Sequence, residues 1–278
     1  MPSGKYGVGV AVTKPDCAEP PSNYSPFKAP GTVVKDIEGL EPGTNHGTAA
    51  DKYAYPAAVV NEWLSKPSTQ PKDKKIVFVT FDDGPTTKFT GEQLDNLEKA
   101  DARATFFMIA PQLRDVAPDM LSRSLKMGNA LALHSYSHDY KYLYHGTAEN
   151  KANHIGCDWD WAMAQSRAIL GSNYFSSAFR YPGGHMSWTK LDQADDALAK
   201  RGAAWIDWNA MSGDADAERP TTVAGYLEMV KKTINESDNP NVVVILNHDT
   251  YGKQMTVDAM PSILKWLKSE GYEFGVIA

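Results

Sequence analysis

The sequence predicts an α/β fold in which parallel strands alternate with helices and close as a barrel one unit short of the usual eight. A proline-rich arm precedes it. Seven short runs are almost continuously apolar, as strands covered on both faces are. The intervals between them are long enough for a helix each, which makes the sheet parallel. Most of the 17 prolines lie before Lys75, where no long periodic element can form.

Residues 1–74 read as an extension laid along the main domain. Tyr24, Phe27, Tyr53, Tyr55 and Trp63 are too many aromatics for a solvated leader. A short helix is expected from Tyr55 to Leu64, with Pro56 in its first turn and Val59, Val60, Trp63 and Leu64 on one face. The main domain spans 75–278. Its strands are expected at Ile76–Phe81, Ala104–Ala110, Ala130–Leu133, Ser177–Phe179, Ala203–Ile206, Val242–Leu246 and Phe274–Ile277. Gly128, Gly171, Gly202 and Gly271 each follow a helix-like stretch and mark its end. The last helix shows its period in Met260, Ile263, Leu264 and Leu267.

The charge balance narrows the partners. The 278 residues carry 28 Lys+Arg against 34 Asp+Glu, a net charge of −6 with no basic tract. That argues against a nucleic-acid-coating or polybasic membrane surface. No apolar run reaches the roughly 18 residues a membrane span needs. The start lacks a basic patch followed by an apolar stretch, so the chain is either cytosolic or exported and presented without its export segment. A monomer is the expected oligomeric state. Cys17 and Cys157 are the only cysteines. In an exported protein a disulfide between them would staple the arm to the barrel; otherwise they are two unrelated thiols.

Reactive side chains collect at the ends of the runs. Asp82 and Asp83 end the first, His134 the third with His138 four residues on, Arg180 the fourth and Asp207 the fifth; His248 closely follows the sixth. In parallel barrels and open α/β sheets the ligand site lies at the carboxyl ends of the strands. Two imidazoles at that spacing plus one carboxylate form a three-ligand set for Zn²⁺ with a fourth position open.

These segments resemble the five motifs of the polysaccharide deacetylase family, also called the NodB-homology or family 4 carbohydrate esterase group. Thr80-Phe81-Asp82-Asp83-Gly84-Pro85 looks like the first, His134-Ser135-Tyr136-Ser137-His138 the second and Arg180-Tyr181-Pro182-Gly183-Gly184 the third. Asp207-Trp208 and Leu246-Asn247-His248 are similar to the fourth and fifth. All five occur in the family's order between about Lys75 and Ala278. The resemblance implies a distorted (β/α)7 barrel and metal-dependent removal of N-acetyl groups from GlcNAc. The texture around Tyr140–Tyr144, Arg180–Trp188 and Asp207–Asp214 is most like the bacterial peptidoglycan enzymes.

By the same resemblance, Asp83, His134 and His138 hold one divalent ion, zinc by expectation, with cobalt or another divalent ion as the alternative. Asp82 is the general base, and Arg180 holds it charged and oriented. Adjacent side chains on a strand point to opposite sides, so a bend must bring Asp82 and Asp83 to one site. His248 is the acid that protonates the leaving amine, paired with Asp207. The Gly183 N–H is the oxyanion donor; family members often carry tyrosine at this position, and this sequence departs from that. Trp208 and Leu246 would line the acetyl pocket, with Tyr136, Tyr181, Tyr140 and Trp188 stacking on sugar rings.

The expected partner is therefore a GlcNAc-containing polysaccharide, and the expected location is outside the cell or at its wall. Chitin, chitooligosaccharides and acetylated xylan are the neighbouring substrates. Two readings come from other classes: a glycosidase using the Asp82/Asp83 pair, and a glycan-binding module without turnover.

Overall fold

The computed structural model describes residues 9–237 and 241–278. After β1 (Ala54–Tyr55) come β2 (Lys75–Gly84), β3 (Ala104–Met108), β4 (Ala130–Leu133), β5 (Ala178–Phe179), β6 (Ala204–Trp205), β7 (Ala210–Met211), β8 (Val242–His248), β9 (Tyr272–Phe274) and β10 (Val276–Ile277). Seven strands form one parallel path in the order β6-β5-β4-β3-β2-β8-β7, and β9 pairs with β2 beside it. The residues of β3, β4 and β5 are all buried, as the apolar runs require.

The two ends of that path, β6 and β7, are neighbours in sequence. Only Ile206–Asn209 joins them. A link of four residues reaches no further than roughly 3.5 Å per residue, so the sheet must curl until its edges approach. It is a half-barrel bridged by a short segment, matching the distorted (β/α)7 expectation. The helices α1 (Ala57–Ser65), α2 (Phe89–Lys99), α3 (Pro118–Lys126), α4 (Tyr140–Tyr144), α5 (Ala148–Leu170), α6 (Asp192–Ala199), α7 (Val223–Glu236) and α8 (Gln254–Ser269) intervene between the strands. Among the described residues, no helix is long and apolar enough to cross a membrane.

Two strands differ from expectation. The seventh path strand is β7, not the C-terminal run. Its two residues are too few to show as a pattern, because the Asn209 side chain does the work of a peptide group. Asn209 donates to the Val242 carbonyl at 2.9 Å and accepts the Val244 N–H at 2.8 Å. The run Phe274–Ile277 is split at Gly275, where a Cβ would lie 2.7 Å from the Phe78 ring. Before that glycine β9 runs beside the start of β2; after it β10 pairs with β1 of the arm.

The arm is integral to the packing. Phe27 and Leu40 are buried, and Leu131 on β4 donates to the Asn45 carbonyl at 2.7 Å. Ile37 donates to the Leu170 carbonyl at 2.8 Å, which occupies a free carbonyl at the end of α5. The anticipated short helix is α1, starting after Pro56. Cys17 and Cys157 form a disulfide across 140 residues of sequence.

Candidate active site

The carboxyl ends of the strands carry the reactive groups in register. Asp82 on β2 stands opposite both Phe107 on β3 and His248 on β8. The ladder runs on past β4 and β5: His134 donates its N–H to the Met108 carbonyl at 2.8 Å, and Arg180 donates to the Leu133 carbonyl at 3.0 Å.

A bulge solves the problem of two consecutive aspartates. The β2–β3 register shifts between Asp82 and Gly84, and Asp83 takes φ 68. That left-handed residue turns the second carboxylate toward the same site as the first. Asp83 Oδ1 lies 3.3 Å from His134 Nε2 and 3.1 Å from His138 Nε2, while Asp82 Oδ2 is 3.9 Å from His134 Nε2. Ser135 (φ 80) and His138 (φ 47) are also left-handed. Conformations of this kind cost about 1–3 kcal/mol each and persist only where the surroundings enforce them.

These three residues fit a divalent ion. Donor atoms around a tetrahedral ion at zinc-ligand distances stand about 3.3 Å apart, close to the two separations above. Asp83 Oδ1 is buried and, among the described residues, has no hydrogen-bond donor. His134 Nδ1 lies 2.9 Å from the Arg180 carbonyl, which fixes the tautomer and leaves Nε2 as a free donor to an ion. Without an ion, burial opposes the charge of Asp83, but the protonated forms of the two imidazoles outweigh it and hold the carboxyl well below its usual range.

Arg180 is fully buried and braces the other aspartate. It donates to Asp82 Oδ1 at 2.8 Å and to Thr80 Oγ1 at 2.7 Å. It also reaches the bridging segment, donating to the carbonyls of Ile206 at 3.1 Å and Asp207 at 3.2 Å. The guanidinium stacks 4.0 Å from the centre of the Phe107 ring. Asp82 thereby keeps one oxygen committed and the other facing the ligand cluster.

The partner of His248 is not Asp207. The imidazole Nδ1 pairs with Asp214 Oδ1 at 2.8 Å, and Asp214 Oδ2 accepts the His248 N–H at 2.8 Å. Asp207 instead accepts the N–H groups of His185 and Met186, at 2.8 and 2.9 Å, and so shapes the loop after β5. The reason is topological: Asp207 sits on the bridge after β6, whereas Asp214 follows β7, the strand that lies beside β8. Asp214 follows a strand too short to show as an apolar run, so in the sequence only Gly213 before it marks a turn; in the structure that glycine takes φ 74. Burial favours the neutral ring of His248, but Asp214 outweighs it, with Asp82 and Asp83 adding, so its pKa is raised.

The aromatic assignments also change. Tyr136 and Tyr181 are almost fully buried, with hydroxyls bonded to Glu19 and Asp195, and neither can stack on a sugar. Tyr140, at 46% exposed, is the available ring. Trp188 lies stacked on Tyr144 with centroids 4.0 Å apart. Trp208 is half-buried beside Arg180, and Leu246 is buried near the end of β8. Gly183 has φ 79 and is exposed, and among the described residues no hydrogen bond engages its N–H. A Cβ at Gly183 would stand 3.3 Å from Tyr140 Oη, so Tyr140 occupies space that a larger residue there would need.

Comparison with known proteins agrees with this fold. The polysaccharide deacetylase family model matches residues 69–200. A solved Streptococcus mutans CE4 esterase superposes with a TM-score of 0.76 and 37% identity, covering 87% of this chain and 100% of that one. A peptidoglycan-N-acetylglucosamine deacetylase of Bacillus cereus is 29% identical over 206 residues, 73% of this chain and 69% of that protein. A bifunctional xylanase/deacetylase of Pseudobutyrivibrio xylanivorans is 29% identical over 210 residues, 76% of this chain; the chain spans only 31% of that protein. The chain belongs to the polysaccharide deacetylase family, the family 4 carbohydrate esterases.

Proposed function

We propose that this protein removes the N-acetyl group from GlcNAc residues of peptidoglycan, releasing acetate, with one zinc ion held by Asp83, His134 and His138. The observation that carries it is the convergence of those three donors beside an Arg180-braced Asp82, across the strand register from His248. When bound, such an ion acidifies the attacking water and polarises the acetyl carbonyl. Asp82 Oδ2 accepts the proton of that water, because its other oxygen is committed to Arg180. The Gly183 N–H donates to the developing oxyanion. His248 protonates the departing amine from Nε2, since Nδ1 is held by Asp214. Trp208 and Leu246 bound the acetyl pocket, and Tyr140 offers a stacking face to the sugar.

Peptidoglycan is favoured by the name of the Bacillus cereus relative. Action outside the cytoplasm follows from that substrate and is supported by the Cys17–Cys157 disulfide, which persists in oxidising surroundings. Acetylated xylan is the second reading, favoured by the likeness to the bifunctional xylanase/deacetylase. A glycosidase needs one protonated carboxyl. Asp83 instead faces the two imidazoles at 3.3 and 3.1 Å and Asp82 is braced by Arg180 at 2.8 Å, an arrangement that suits a metal ligand and a base rather than a carboxyl pair sharing acid and nucleophile roles.

Acetate release separates these readings when muropeptides, chitooligosaccharides and acetylated xylan are offered to zinc-loaded protein. The expected order places muropeptides first. Release from xylan alone would move the protein to the second reading, and chain cleavage without acetate would sink both.

A further inference from the structure

The arm reaches the back of the segment that carries both histidine ligands. Tyr136 lies between His134 and His138, and its hydroxyl donates a short hydrogen bond to Glu19 of the arm. The same oxygen of Glu19 accepts the Phe27 N–H at 2.8 Å, so the carboxylate is fixed from its own side. Trp161 of α5 packs between them: its ring centre is 6.0 Å from that of Phe27 and 5.8 Å from that of Tyr136. Its indole N–H donates to the Cys17 carbonyl at 3.1 Å.

A second grip comes from α5 itself. Asp158, fully buried, accepts the N–H of Tyr136 at 2.7 Å and of Ser137 at 2.9 Å. Its sequence neighbour Cys157 is disulfide-bonded to Cys17, two residues from Glu19. The disulfide thus joins the two pieces of chain that grip the His134–His138 segment. That segment needs holding, because Ser135 and His138 are both left-handed non-glycine residues.

We propose that the Cys17–Glu19 part of the arm, fastened to α5 by the disulfide, is a positioning element for the metal ligands His134 and His138. This rests on the metal-site reading above. Glu19 acts through Tyr136 and touches neither substrate nor ion. Groups bonded directly to metal ligands typically change affinity about 10- to 100-fold when removed; Glu19 lies one residue further out, so the low end is expected.

The test measures the zinc dissociation constant of the whole chain by competition with a chromophoric chelator, alongside thermal unfolding. The variants are Glu19→Ala, Glu19→Gln, Tyr136→Phe and the pair Cys17→Ser/Cys157→Ser. Glu19→Ala and the cysteine pair are expected to weaken zinc binding about tenfold. Glu19→Gln keeps an acceptor for the Tyr136 hydroxyl and is expected to restore most of the affinity. Glu19→Ala and Tyr136→Phe together should cost no more than Glu19→Ala alone, because the bond that Tyr136→Phe removes is already lost there, along with the Phe27 contact. Tyr136→Phe changes only the hydroxyl, so it keeps the test open should another variant misfold. Folded Glu19→Ala or Tyr136→Phe protein that binds zinc like the wild type overturns the proposal, even where its unfolding temperature falls. Wild-type protein that binds no zinc, or whose binding survives Asp83→Ala, instead overturns the metal-site reading.

Discussion

At Asp83 the backbone angle of φ 68 decides the chemistry, since it places two consecutive carboxylates at one site. The acidic pair and the His-x-x-x-His spacing were legible because residue types at strand ends survive in the sequence. The choice of Asp214 over Asp207 was not, because it depends on which strand lies beside β8. That choice has a pH consequence. The pKa of His248 is raised chiefly by Asp214 against its burial. Its pairing therefore contributes stability that is full below the ordinary histidine value and fades as pH rises through the raised one. In Asp214→Asn the alkaline limb of kcat should move to lower pH, and kcat should fall by about 10²-fold; Asp207→Asn should leave that limb in place. A pH–rate profile of the two variants checks this. In Asp249, buried with one oxygen bonded to Thr90 and the other without a partner among the described residues, burial pushes the carboxyl up to about 7. Its raised value means that native protein loses stability as pH climbs from the ordinary aspartate range to about 7. Urea unfolding of chelated Asp249→Asn protein should show a smaller loss across that interval than wild type.

Among elements, the buried strands were readable as continuous apolar runs and α8 by its helical period. The two-residue strand β7 carries no such run, and a side chain of Asn209 completes its ladder with β8. The arm was readable as packed from its aromatics, but not where it packs. Gly171 records that contact. It has φ 118, and a Cβ there would fall 2.3 Å from the Asp36 backbone of the arm. Gly171→Ala should destabilise the fold by more than about 2 kcal/mol, which denaturant unfolding would register. Gly252 also has positive φ, but nothing lies within 4 Å of a Cβ there, so Gly252→Ala separates strain from the added clash.

For the molecule as a whole, the curled sheet needs closing at its gap and at its base. Arg180 ties the bridge to β2 across the barrel interior, and the arm pairs with the last strand at the base. The disulfide constrains a loop of 140 residues, for which chain entropy gives a ceiling of about 5 kcal/mol. Reduction should therefore lower the unfolding midpoint measurably without dissolving the core at room temperature. The central claim concerns the three donors and the base beside them. It is tested most directly by measuring bound zinc and acetate release together in Asp83→Ala and Asp82→Asn proteins. The account predicts that Asp83→Ala loses both, while Asp82→Asn keeps one zinc per chain and loses about 10³-fold or more in kcat. Asp83→Ala protein that retained its zinc and still released acetate would contradict it.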